Sequence, residues 1–110
     1  MPNYNYGHFI CQAIDSVLAQ TLSEFELIII DDGSTDNSPK VIERYAHHPQ
    51  VVTILQENNG LNITNNIALR IARGEYLMRL DPDDWLDENA LQVMSGLLDR
   101  NPDAGLVFPD

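Results

Sequence analysis

The feature that most constrains this chain is an alternation of two hydrophobic periods. Short apolar runs, "FELIII" at 25–30, "VVTIL" at 51–55, "EYLMRL" at 75–80 and "AGLVF" at 104–108, are separated by stretches whose apolar residues recur every three or four positions. A β-branched run of this length reads as a buried strand, and the three-to-four spacing reads as one face of a helix. Helix and strand in alternation predict an α/β domain with a mostly parallel sheet covered by helices.

The first helix is predicted over 9–22, with Phe9, Ile10, Ala13, Ile14, Val17, Leu18 and Leu22 as its stripe. Ser38 and Pro39 supply an N-cap and a first helical residue for a second helix, which buries Val41, Ile42, Tyr45 and Ala46. A third helix over 62–72 uses Ile63, Ile67, Ala68 and Ile71, with Gly74 as its C-terminal cap. A fourth, over 88–98, is capped by Asp87 or a near neighbour.

Charge sets limits on function. Six basic residues against 17 acidic ones leave a net charge of −11, which excludes a nonspecific hold on nucleic acid or on an anionic membrane. A phosphorylated ligand would then need a metal to bind. At 110 residues the chain is one domain or part of one. It has no apolar stretch that spans a bilayer and no signal-like start, so it is expected in the cytoplasm, or at a membrane within a longer parent protein.

Cys11 is the only cysteine. It is expected as a small buried residue, with no disulfide or cysteine metal cluster possible. His8, His47 and His48 lack metal-ligand spacing and read as ordinary surface or helix-end residues. Asn62-Ile63-Thr64 matches a glycosylation sequon, which carries little weight without a secretion signal.

Two polar loops follow strands, where parallel sheets place their ligands. "DDGSTDNS" closes the first strand, with Asp31 and Asp32 at its end and Gly33 allowing tight backbone geometry. "DPDDW" follows the third. Asp81, Asp83 and Asp84 must lie close together, and two such charges about 6 Å apart repel by about 2 to 3 kcal/mol at an effective dielectric near 20. Solvation, a neighbouring arginine such as Arg79, protonation or a divalent cation must offset that. The bland reading of either loop is a solvated helix cap. A pair of carboxylates at the end of a core strand exceeds what capping requires.

Pro2-Asn3-Tyr4-Asn5, "SVLAQT" at 16–21, "FELIIIDDGSTDNS" at 25–38, "ENNGL" at 57–61, "ARGEY" at 72–76 and "LDPDDW" at 80–85 together resemble family-two nucleotide-sugar glycosyltransferases of the GT-A fold, in order and spacing. The resemblance covers essentially the whole chain. It implies that residues 1–110 are a single partial GT-A domain, the donor-binding half, incomplete at both ends. By that resemblance Tyr4 stacks on the base of the donor nucleotide, Asp32 hydrogen-bonds the base, and Gly60 shapes the nucleotide-side loop. Asp81 reaches the ribose or the metal shell, and Asp83 ligates a divalent cation, Mn²⁺ or Mg²⁺; Asp84 is an outer contact or a helix cap. Asp32 and Asp83 lie on loops, where substitution is expected to cost binding and spare the fold.

The implied reaction is inverting transfer from a nucleotide-diphosphate sugar, with uracil the base expected, to the hydroxyl of an unknown glycan, lipid or protein acceptor. The carboxylate base of such enzymes lies downstream of the D-x-D loop and has no counterpart here, so no catalytic residue is assigned and the chain alone is expected not to transfer sugar. Asn65 stands where an arginine is common, and Glu88 where a proline is. The strand that normally precedes P-x-Y-N is read as missing. That leaves a gap between the strands ending at Asp32 and Leu80, to be filled by a partner chain such as a second copy, a swapped segment or upstream residues.

Three other readings compete. A non-catalytic nucleotide-sugar binding or scaffolding module shares the same residues. A signalling receiver domain needs a lysine at a late strand end, and Lys40, the only lysine, lies on a helix. A sugar nucleotidyltransferase needs a glycine-rich basic loop that "MPNYNYG" does not provide.

Overall fold

The computed structural model of the chain describes residues 1–107. Three strands, β1 (Pro2–Asn3), β2 (Leu27–Asp32) and β3 (Val51–Gln56), form one sheet in that order, and every pairing is parallel. Leu27 faces Val51 and Asp32 faces Gln56 along the β2–β3 ladder, while Pro2 and Asn3 face Ile30 and Asp31. The expected parallel sheet is therefore present.

The core explains why these segments fold as they do. α1 (Ile10–Leu18) buries Ile10, Ala13, Ile14 and Val17, the 3.6-residue stripe read from the sequence. α2 (Ser38–Glu43) adds Val41 and Ile42, and β2 adds Leu27 and Ile29. Fully burying an isoleucine contributes about 1.5 to 3 kcal/mol, and Ile10, Ile14, Ile29, Ile30 and Ile42 are each at most 1% exposed. Central β2 is almost wholly buried, whereas edge strand β3 buries only Val51 and leaves Leu55 exposed.

Several elements differ from the expectation. A strand does precede the first helix: Pro2–Asn3 lies on the edge of β2, and Met1 continues the ladder by donating to Ile28 O and accepting from Ile30 N. The gap inferred beside β2 is occupied to the extent of these residues. Residues 75–80 form no strand. Their ladder would need a neighbouring edge, and β1 offers only two residues; 75–79 are exposed and Leu80 alone packs on the core. Residues 104–107 are irregular, and the remainder of that predicted strand lies outside the described residues.

Helix ends shift as well. α1 stops at Leu18, and Phe9 stays exposed outside it. α2 stops at Glu43, so half-buried Tyr45 and exposed Ala46 lie in the turns after it. α3 (Leu61–Ile71) buries Thr64 and leaves Ile63 and Ile71 exposed, so its predicted face is only partly covered. It ends at Ala72 in extended geometry, and Gly74 has no positive φ to serve as a left-handed cap. α4 (Ala90–Arg100) begins after Asn89 and buries none of its residues. Cys11 is half-buried. Among the described residues no helix is long and apolar enough to cross a membrane.

Candidate functional site

At the carboxyl ends of β1 and β2 lies a cleft of about 400 Å³ bordered by Tyr4, Asp32, Gly60, Asp81 and Asp83. All the residues singled out for nucleotide or metal binding thus line one cavity, although they come from separate loops. Pro2, Asn3, Tyr6, Asn58, Leu61, Thr64, Arg79 and Pro82 complete the wall. An open depression of about 550 Å³ behind the 31–34 loop shares Asn58 but none of the acidic 81–84 cluster.

Each wall is held by hydrogen bonds that the sequence dictates. Asp31 is buried beneath the loop, where it accepts from Asn3 Nδ2 at 2.8 Å, Ser34 Oγ at 2.6 Å and Ser34 N at 3.0 Å. Asn5 staples the opposite side: its Oδ1 accepts Thr35 N at 2.8 Å and Asp36 N at 3.2 Å, while its own N–H donates to Ser34 Oγ at 2.9 Å. Asn5 has φ 58°, a left-handed conformation that asparagine tolerates better than most residues. The Tyr4 ring, half-exposed at the cleft mouth, is therefore carried between two anchored neighbours.

Asp32 organises the facing loop. Its Oδ1 accepts Asn59 N at 2.8 Å and Gln56 Nε2 at 3.1 Å, and its Oδ2 accepts Gly60 N at 3.0 Å. Thr64, itself buried, bridges to Gly60 O and receives Gln56. Burial pushes the Asp32 pKa up, but the hydrogen bonds from Asn59, Gln56 and Gly60, with the Thr64 hydroxyl close by, together outweigh it and hold the carboxyl below its usual range. Both strand-end aspartates thus have structural work in the loops, which accounts for the pair without a ligand. Oδ2 of Asp32 accepts one backbone donor, Gly60 N, and a carboxylate oxygen has two acceptor lone pairs. Asp32 is also 5% exposed, so the expectation that its replacement would spare the fold gives way to one of measurable destabilisation.

The acidic end is assembled differently. Asp81, Asp83 and Asp84 each offer a carboxylate oxygen, and these oxygens lie within 4.8 Å of one another. Arg79 supplies the anticipated counter-charge, its Nη2 and Nε standing 2.8 and 3.0 Å from Asp81 Oδ1. Asp83 and Asp84 are exposed. Three convergent carboxylates, with no sulfur or imidazole among them, form an all-oxygen donor set of the kind hard divalent cations prefer.

Sequence reasoning missed what fixes this loop in space. Gln20, buried just beyond α1, donates to Asp87 O at 2.6 Å and Ser16 O at 3.1 Å and accepts from Leu91 N at 3.0 Å. Ser16 Oγ accepts Leu86 N at 3.1 Å, and Thr21 N donates to Glu88 O at 2.8 Å. The polar residues of "SVLAQT" therefore hold the chain immediately after the acidic cluster. Their signal was polar side chains inside and just past an apolar helical stripe.

A parallel sheet under helices, with an oxygen-rich cleft at its strand ends, defines a ligand-binding α/β domain. The model of glycosyl transferase family 2 matches residues 1–109, and the chain belongs to that family. It is 40% identical over 94 residues to chondroitin synthase of Escherichia coli, an alignment that spans 84% of this chain and 14% of that protein. It is 37% identical over 94 residues to hyaluronan synthase of Pasteurella multocida, spanning 84% of this chain and 10% of that one. Among solved structures, S. aureus TarS 1-349 in complex with UDP superposes with a TM-score of 0.84 at 26% identity, over 99% of this chain and 36% of that one. The mannosyltransferase PcManGT of Pyrobaculum calidifontis, in complex with GDP-Man and Mn²⁺, gives 0.80 at 29% identity, over 88% and 30%. The fold is of the GT-A glycosyltransferase type.

Proposed function

We propose that residues 1–110 are a single partial GT-A domain that binds the donor of a glycosyl transfer, a nucleotide-diphosphate sugar whose base is uracil. The supporting observation is one cleft that gathers an exposed aromatic ring, a strand-end carboxylate with spare acceptor capacity and an all-oxygen acidic cluster. In this reading Tyr4 stacks on the base, and Asp32 accepts a base N–H while holding Gly60 so that the 57–60 loop can approach the nucleotide. Asp83 and Asp81 would hold a divalent cation, Mn²⁺ or Mg²⁺, which when bound supplies Lewis-acid stabilisation of the departing diphosphate. The complexes of TarS with UDP and of PcManGT with GDP-Man and Mn²⁺ lend support by likeness.

The full reaction is inverting transfer to an acceptor hydroxyl of a glycan, lipid or protein. No residue of this chain is assigned as the base that would deprotonate it, so the chain binds donor without turnover. Calorimetric titration of UDP into the 110-residue chain, with Mn²⁺ and then with chelator, tests this. Binding that requires Mn²⁺ is the expected result; no binding in either condition overturns the reading. A version extended at both ends that still fails to transfer sugar would favour a binding module over an enzyme.

A further inference from the structure

Among the described residues Arg79 is the only cationic side chain in the cleft wall, and it stands at the acidic end. Two of its nitrogens converge on one oxygen of Asp81, at 2.8 and 3.0 Å, so the pair uses half of the carboxylate and part of the guanidinium fork. Both side chains are about half exposed, at 51% and 43%. An ion pair this open to water contributes little to stability and is easily exchanged. Among the described residues the only other ion pair is Arg73 with Glu26, at the far end of α3.

We infer that Arg79 is an exchangeable counter-ion: it neutralises Asp81 while the acidic cluster is empty, and turns to the ligand's phosphates once cation and nucleotide are bound together. This rests on the nucleotide-sugar reading above. The guanidinium and a divalent cation compete for Asp81, and two positive charges held at one carboxylate repel each other. A diphosphate resolves the competition, because it supplies fresh anionic oxygens to which a guanidinium fork can donate two parallel hydrogen bonds. Arg79 therefore opposes the cation by itself and favours the cation with nucleotide. The consequence is coupling: each ligand raises the affinity for the other, by the same factor in both directions.

Arg79→Met removes the charge and the donors while keeping an apolar stem, and the two ligands should respond in opposite directions. Mn²⁺ alone, followed by the loss of its free paramagnetic signal, should bind the variant several-fold more tightly than the unmodified chain. UDP at saturating Mn²⁺ should bind the variant about tenfold more weakly. Arg79→Lys, which keeps the charge without the fork, should leave Mn²⁺ affinity near the original value and still weaken UDP. A merely structural Arg79 would lower both affinities on substitution, and that result overturns the inference, as does an Arg79→Met chain with unchanged Mn²⁺ affinity. If the unmodified chain binds neither Mn²⁺ nor UDP, the nucleotide-sugar reading falls and this inference with it; if it binds both and the variants match it, only the inference falls.

Discussion

The carboxylate of Asp32 holds the backbone N–H of Gly60 at 3.0 Å across 28 residues of sequence. With Asn59 N and Gln56 Nε2 on the other oxygen, it ties the end of β2 to the loop that leads into α3. An ionised acceptor is needed, because both backbone groups donate. Asp32→Asn places an amide where one of those donors points. The expected cost is about 1 to 3 kcal/mol, the penalty for stranding a buried hydrogen-bonding group.

The same contacts set a pH dependence. The folded pKa of Asp32 lies below its reference value of 3.8. A carboxyl depressed by folding contributes stability that is fully present above the unfolded pKa and lost as pH falls through the lower, folded one. Asp36 adds to the effect: burial pushes its pKa up, but bonds from Ser38 and from Gly7 N, with the charge of His8, bring it down. The urea midpoint of the unmodified chain should therefore fall on acidification below about pH 4. Asp32→Asn should show a shallower fall over that range; an identical slope would remove Asp32 from the account.

Much of this was legible in the sequence, for identifiable reasons. Periodicity located α1 and the two longer strands, since Ile10, Ile14 and Val17 have one face to bury and Ile28–Ile30 run between two neighbours. That Tyr4, Asp32, Gly60, Asp81 and Asp83 line one cleft was foreshadowed by resemblance, and the convergence of the 81–84 carboxylates by their spacing. The stretch at 75–80 misled because β-propensity says nothing about whether a partner edge exists. The carboxylates of Asp31 and Asp32 were read as exceeding what capping requires because most of their internal partners, Asn3, Asn59 and Gly60, lie on other segments. Gln20 was invisible for the same reason, as its partners at Asp87 and Leu91 are some 70 residues away.

Two glycines separate backbone strain from steric exclusion. Gly60 has φ 89° and ψ 160°, and a Cβ there would meet nothing within 4 Å. Gly60→Ala should cost the conformational penalty alone, about 1 to 3 kcal/mol. Gly33 has φ 77°, and its Cβ would stand 2.7 Å from Asn58 N, a backbone atom that cannot swing aside. Gly33→Ala should therefore destabilise more than Gly60→Ala in urea unfolding. The reverse order would show that the 31–34 and 57–60 loops part readily.

Gln20 links α1 to the acidic loop without touching it. Gln20→Ala strands Leu91 N and Asp87 O, at an expected cost of about 1 to 3 kcal/mol. The chain after Asp84 would also lose an anchor, so Mn²⁺ affinity should drop several-fold even though every carboxylate remains. Destabilisation with unchanged Mn²⁺ affinity would confine Gln20 to the fold.

Asp83 offers the cleanest separation of binding from folding. Its side chain is exposed and makes no hydrogen bond or ion pair among the described residues, and surface changes of that kind usually stay within about 0.5 kcal/mol. Asp83→Asn should leave the urea midpoint in place. If the carboxylate ligates the cation, losing its charge should weaken Mn²⁺ binding about tenfold or more, equivalent to about 1.4 kcal/mol, and weaken Mn²⁺-dependent UDP binding in parallel. Paired titrations of Mn²⁺ and UDP check both. A variant that folds normally and binds Mn²⁺ as before would show that Asp81 and Asp84 suffice and that the second aspartate of the D-x-D motif is not the ligand here.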